Sequence, residues 1–396
     1  MNIDSLLARE LPENRTTDPH ILPIYATSSF AFSDIEQGIG IFKDIESGHV
    51  YSRYANPTVD TVARKIALLE SHGLGFEADA VMTSSGMSAI STLLLGILKK
   101  GDKVLTQGNL YGGTTELLKG LFGQFGIEPV FADLRELQQV ETLLREDAAI
   151  RLLYCETPAN PTLACVDIQA LSSLAHAQGA LCAIDNTFST PYLQQPFAFG
   201  VDFIVHSTTK YLNGHGNSIA GVVVGRDREL MRRQVWRAMK LAGTNCSPFE
   251  AWLTHNGMKT LALRMERHCA NALALARFLA RHPAVERVNY PGLETHPDHA
   301  LAQKQMPRGS GGMLSFELRG GMKAGLHCMN ALKMGSLAPT LGDVDTLVLH
   351  PASSSHLHVV KELREQNGIT DGLIRVSVGI EHAADLIADF DQALSD

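Results

Sequence analysis

Residues 202–216 read "DFIVHSTTKYLNGHG". Phe203, Ile204 and Val205 form a short unbroken apolar run, which suits a strand covered on both faces; a strand with one wet face would alternate. The chain then turns polar through His206, Ser207, Thr208 and Thr209, reaches Lys210, and continues into a segment loosened by Gly214 and Gly216. Working outward, similar runs occur at 78–83 (ADAVMT), 102–107 (DKVLTQ), 128–133 (EPVFAD), 150–156 (IRLLYCE), 180–186 (ALCAIDN) and 219–225 (IAGVVVG). Helical patterns such as "GMSAISTLLLGILKK" and "DIQALSSLAHAQG" separate them, the second ending on a glycine placed as a C-cap. Strand and helix in alternation predict an α/β fold around a mainly parallel, seven-stranded sheet.

Before residue 60 the chain reads as a polar, irregular arm that has to pack on something else. Beyond about 255, long amphipathic stretches such as "LALRMERHCANALALARFLARHP" lead to "GGMLSFELRGG" and "LIRVSVGIEHAADLIADFDQAL", a pattern for a smaller α+β domain. The expected division is therefore an arm over 1–60, an α/β domain over 61–255 and an α+β domain over 256–396.

Of the 396 residues, 45% are apolar and 19% charged, and the net charge is −8. A chain without a basic excess is a poor partner for phosphate backbones, so nucleic acid is not expected. No run approaches membrane-spanning length, and the first twenty residues have no signal-peptide pattern, so a cytoplasmic location is expected. Six scattered cysteines without a C-x-x-C pair suit reduced thiols. His350, His356 and His358 cluster in "LHPASSSHLH" but bring no carboxylate or thiol partner, so no metal site is expected there.

A lysine after a strand is ordinarily a solvated surface residue. Lys210 instead sits among small hydroxyl donors and glycines, at the strand end where open α/β sheets bind ligands. Partly desolvated there, its amine would be a nucleophile toward an aldehyde, which points to a Schiff base with pyridoxal phosphate. That cofactor needs phosphate donors, an anion at its ring nitrogen and a flat group against its ring. Gly86 and Met87, in a strand-to-helix turn, offer free amides to the phosphate, with Ser207 and Thr209 adding hydroxyls. Asp185 ends an apolar strand and is the candidate anion. Tyr111, beside Gly112 and Gly113, is the candidate ring partner and proton carrier.

Together "VHSTTKYLNGHG", "AIDNTF", "YSRYANPT", "SSGMSAI", "LYGGT", "ETPANPT" and "LIRVSVGIE" resemble the Cys/Met-metabolism PLP-dependent enzymes of fold type I, over nearly the whole chain and in the family's order. The resemblance implies that Lys210 is the cofactor-binding lysine, Asp185 the ring-nitrogen partner and Tyr111 the stacking tyrosine. Gly86, Met87, Ser207 and Thr209 are implied phosphate ligands. It further implies that Arg375 grips the substrate α-carboxylate with Asn160 nearby and Thr340 beside them. Tyr51 and Arg53 would reach the cofactor of a neighbouring subunit, in a homodimer with shared sites that pairs into a tetramer. The implied reaction is C–S γ-elimination on methionine- or homocysteine-type substrates, giving 2-oxobutyrate, ammonia and a thiol. The alternatives within the family are γ-replacement on O-acetyl- or O-succinylhomoserine and cystathionine synthesis; an aminotransferase on the same fold is the alternative from another class. The C-terminal half looks most like methionine γ-lyase, with Gly113 and Leu241 standing where those lyases usually have cysteine and an acidic residue.

Overall fold

The computed structural model describes residues 1–11, 19–43, 45–355, 357 and 359–395. Its first seven strands are β1 (Asp79–Thr83), β2 (Lys103–Thr106), β3 (Glu128–Phe131), β4 (Ile150–Glu156), β5 (Leu181–Asp185), β6 (Phe203–Ser207) and β7 (Gly221–Gly225). They form one sheet in the order β1-β7-β6-β5-β4-β2-β3. Only β7 runs against its neighbours β1 and β6; every other pair is parallel.

The apolar runs reflect burial on both sides of this sheet. Ile204, Val222 and Val224 pack into one layer with Val62 and Ile66, whereas Phe203, Val205 and Val223 point into a second layer with Leu93 and Leu94. Neither face is wet, so the strands show no polar alternation.

After β2 the chain steps outward to β3, then returns past β2 to β4, β5 and β6. The sheet order therefore reverses between β2 and β4, which opens a crevice at their carboxyl ends, the usual ligand position in open α/β sheets.

The second sheet follows the order β10-β11-β12-β9-β8. Its strands are β8 (Val285–Asn289), β9 (Met313–Leu318), β10 (Ser336–Leu337), β11 (Leu347–Leu349) and β12 (Leu373–Ser377). The helix Leu261–Leu279 links the two parts. Its Arg264 donates to the carbonyls of Tyr211 and Gly257, both at 2.8 Å, which pins the turn that follows Lys210. Gly214 lies in that turn with φ +72°, and a Cβ there would come within 2.0 Å of the Arg264 guanidinium. Only glycine fits.

The segment before residue 60 is more ordered than its composition suggests. Asn2 caps a short helix, Ile3–Ala8, that buries Ile3 and Leu7 against the chain's own core, and a second helix spans Ile35–Phe42. The helices Pro57–Glu70 and Pro248–Met258 run across the expected limits at 60 and 255. No described helix is long and apolar enough to cross a membrane.

Candidate active site

Because β4, β5 and β6 are parallel, Glu156, Asp185 and Ser207 all arrive at one edge of the large sheet. Lys210 follows in the turn beyond β6, and its Nζ donates to Thr340 Oγ1 at 2.8 Å. Burial lowers its pKa, and the positive Arg375 nearby lowers it further. A larger share of neutral amine results, which a nucleophile or base requires.

Asp185 is half-buried at the end of β5. Its Oδ1 accepts the Thr187 amide at 3.0 Å, and the Tyr154 hydroxyl lies 3.5 Å from Oδ2. Burial raises its pKa. A half-buried carboxylate with a raised pKa and no cation in an ion pair with it among the described residues suits a ligand that brings positive charge, such as a protonated pyridine nitrogen.

The helix Gly86–Ile97 starts against Ser207, with Ser85 and Ser88 forming a reciprocal capping box. A Cβ on Gly86 would lie 2.6 Å from the Ser207 Cβ, so the glycine lets the helix start press onto the strand end. The first-turn amides of Gly86 and Met87 have no carbonyl within the helix to bond and can receive a phosphate. Ser207 borders this cradle. The Thr209 hydroxyl is occupied by both backbone groups of Ala220, at 3.1 and 3.2 Å.

On the other wall, Arg375 rises from β12. Its guanidinium donates to the Thr340 carbonyl at 2.8 Å and to Asn160 Oδ1 at 3.4 Å. Its buried Nε has no partner. Burial pulls the guanidinium down to about 10. A buried cation with an unsatisfied donor is matched by an incoming carboxylate. Tyr111 caps the helix Gly112–Glu116, its side chain about half exposed over the crevice. The ring occupies space beside Gly113: a Cβ there would stand 2.7 Å from Tyr111 Cε1.

One chain therefore gathers Lys210, Thr340, Arg375, Asn160, Tyr111, Asp185, Gly86, Met87, Ser207 and Thr209. Tyr51 and Arg53 are not joined to that group by hydrogen bonds or ion pairs among the described residues. Arg53 donates to the Lys240 carbonyl and lies 4.8 Å from the Tyr54 ring centre. His350 is held by Ser353 at 2.8 Å and the Asp371 carbonyl at 2.9 Å; His356 and His358 lie outside the described residues. Among the described residues no three His, Cys, Asp or Glu gather as a metal site.

Sequence reasoning missed Glu156. Its carboxylate accepts the Tyr111 amide at 2.9 Å and the Asn160 amide at 3.2 Å. Burial, with the neighbouring Asp185 charge, raises its pKa. The available signal was a carboxylate ending the apolar run "IRLLYCE", the same pattern that marked Asp185.

A low-pKa amine, a half-buried acid one strand away, a helix-start anion cradle and an arginine with an open donor fit pyridoxal phosphate and an amino-acid substrate. They define a fold type I, PLP-dependent site. Residues 4–395 match the family described as Cys/Met metabolism PLP-dependent enzyme, and the chain belongs to that family. It is 49% identical to an L-methionine gamma-lyase of Fusobacterium nucleatum subsp. polymorphum, across 94% of this chain and 93% of that one. It is 41% identical to an O-succinylhomoserine sulfhydrylase of Pseudomonas aeruginosa, across 99% and 95% respectively. A crystal structure of cystathionine gamma synthase from Xanthomonas oryzae pv. oryzae superposes with a TM-score of 0.92 at 37% identity, covering 100% of this chain and 98% of that one. The fold type I architecture and the PLP-dependent class expected from the motifs agree with these findings.

Proposed function

We propose that this chain catalyses C–S γ-elimination from methionine- or homocysteine-type amino acids, yielding 2-oxobutyrate, ammonia and a thiol. The observation that carries the reading is the Lys210–Thr340–Arg375 array, in which a base and a carboxylate receptor share one threonine. The 49% identity to an L-methionine gamma-lyase supports the lyase direction.

When bound, pyridoxal phosphate would supply an electrophilic carbon for amines and a ring that stabilises carbanion charge. Lys210 would hold it, with Asp185 toward the ring nitrogen and Gly86, Met87 and Ser207 toward the phosphate; Thr209 would join them only by giving up its bond to the Ala220 carbonyl. Arg375 receives the substrate α-carboxylate through its open Nε, and Asn160 keeps the guanidinium oriented. That anchorage presents Cα to the Lys210 amine, whose lowered pKa suits removal of the Cα proton and then of a Cβ proton. Tyr111 delivers a proton to the departing γ-sulfur. Tyr51 and Arg53, which make no hydrogen bond or ion pair to this group among the described residues, complete a second subunit's site in a cytoplasmic homodimer that pairs into a tetramer. The division into arm, α/β domain and α+β domain is kept in this reading, with its limits at the ends of the helices that span 60 and 255.

The second reading is γ-replacement. The sulfhydrylase relative, which aligns over almost the full chain, favours it. Purified holoenzyme is expected to release 2-oxobutyrate from L-methionine alone. Homocysteine formed from O-acetylhomoserine and sulfide, with no release from methionine, would move the assignment to γ-replacement.

A further inference from the structure

Glu156 stands where the sheet order reverses. It ends β4, next to β2 on one side and β5 on the other, and faces Asp185 directly across the β4–β5 ladder. Each carboxylate oxygen takes a backbone amide from a different loop: Oε2 from Tyr111 in the loop after β2, Oε1 from Asn160 in the loop after β4. Further bonds join the same loops. Gln107 brackets the Glu156 backbone, accepting its amide at 3.2 Å and donating to its carbonyl at 3.0 Å, and Asn109 donates to Thr162 Oγ1 at 3.2 Å. Beyond the carboxylate, Asn160 bonds Arg375, and Arg375 bonds Thr340. A continuous path thus runs from the tyrosine over the crevice to the carboxylate receptor, with Glu156 at its middle.

The side chain is chemically particular. Both amides are donors, so both positions need acceptors, and only a carboxylate presents two. A glutamine would turn its NH2 toward one of the amides, leaving that donor buried and unmatched. No described cation pairs with Glu156, and burial with the Asp185 repulsion raises its pKa to about 8, so an acid is kept here at a cost that packing alone does not require.

The geometry points to Glu156 as a positioning residue that holds Tyr111 and the Asn160–Arg375 pair in one register, so that leaving-group protonation and α-carboxylate binding are set by a single buried carboxylate. This inference rests on the reading of the site proposed above for its catalytic consequence, but not for its structural part.

The test uses Glu156→Gln and Glu156→Asp in the full chain. On cofactor-free protein, amide hydrogen exchange in Glu156→Gln should speed up about tenfold or more at 108–113, at 158–163, or at both, the size expected for a buried amide left without an acceptor. The strands β5 and β6 should keep their protection. In the holoenzyme kcat/KM for L-methionine should fall about tenfold or more, with both kcat and KM affected, while the visible cofactor band still forms. A uniformly structural role would instead lower the melting temperature and speed exchange everywhere. Unchanged exchange in both loops, or kcat/KM within twofold of wild type, overturns the inference. Where Glu156→Gln does not fold, Glu156→Asp keeps the carboxyl group but is one methylene too short to span both amides, and the same outcomes decide. A wild-type protein that turned over no γ-substituted amino acid would sink the functional reading alone, because the exchange result is read without cofactor or substrate.

Discussion

Two desolvated lysines, Lys65 and the half-buried Lys210, teach different things. Lys65, on the helix Pro57–Glu70, is fully buried; its amine donates to the carbonyls of Leu7 at 2.7 Å and Arg9 at 2.9 Å. Burial lowers it to about 8. Burial likewise lowers Lys210, yet that amine has one hydroxyl partner, Thr340, and a cation beside it. Desolvation is common to both, so a depressed amine pKa does not by itself mark a reactive site. What separates them is the use of the donors. Lys65 spends its protons on two carbonyls of the N-terminal segment and fastens that segment down; Lys210 is held by a contact that an incoming ligand can replace.

The largest expected effect breaks the pair apart by substituting each with alanine. Lys210→Ala should cost at least about a thousandfold in turnover and abolish the visible cofactor band, with little change in unfolding free energy. Lys65→Ala should leave kcat per folded molecule intact while destabilising the protein by about 2–4 kcal/mol, because two buried carbonyls lose their donor. Denaturant unfolding and steady-state rates on both variants check this. Turnover lost in Lys65→Ala at unchanged stability would erase the distinction.

The same contrast explains what the sequence disclosed. Lys210 was legible because chemistry surrounds it locally: the apolar run Phe203–Val205, the hydroxyls, and the glycines of the next turn. The seven strands were legible because both sheet faces are dry, which removes alternation from runs such as "VVV" at 222–224. Lys65 was not, since it sits in an unremarkable helical stretch, "VARKIALLE", and its partners come from residues more than fifty positions away. Glu156 escaped for a related reason. A glutamate before Thr157-Pro158 reads as a strand end, and only the reversal of sheet order brings the Tyr111 amide to it. Tyr51 and Arg53 were singled out through family resemblance alone; within one chain Arg53 holds the Lys240 carbonyl and lies over the Tyr54 ring.

A pH experiment sharpens the comparison at intermediate magnitude. Lys65 has a folded pKa of about 8, below its ordinary 10.5, so between those values the unfolded chain binds the extra proton. Stability therefore rises with pH across that window, and the group carries its full penalty below pH 8. Lys65→Met removes the titration. The unfolding free energy of wild type minus that of Lys65→Met should shift in favour of wild type from pH 8 to 10.5, by up to about 3 kcal/mol. A flat difference would mean that Lys65 is not desolvated in the folded protein.

The smallest effect lies next to Lys65, where Glu10 contacts His255 Nε2 at 2.7 Å and also pairs with Lys259. Burial raises the Glu10 carboxyl, but Lys259 and His255 more than offset this, leaving it below its ordinary value. A carboxylate lowered on folding stabilises the protein above its unfolded pKa and loses that contribution as pH falls through the folded value. Glu10 is only partly buried, so solvent screening limits the pair to about 1 kcal/mol. Glu10→Gln should accordingly unfold slightly earlier than wild type at pH 7, and the gap should close on acidification below about pH 4. His255 moves the same way: burial lowers it to about 4, so wild type also loses stability from about pH 6.5 downward as the unfolded chain takes up that proton. Because Glu10 also raises the imidazole it contacts, the gap between wild type and Glu10→Gln reports the Glu10–His255–Lys259 cluster as a unit. Equal stability of wild type and Glu10→Gln at pH 7 would mean that the cluster contributes nothing, and the anchoring of the N-terminal helix would then rest on Lys65 and its two carbonyls.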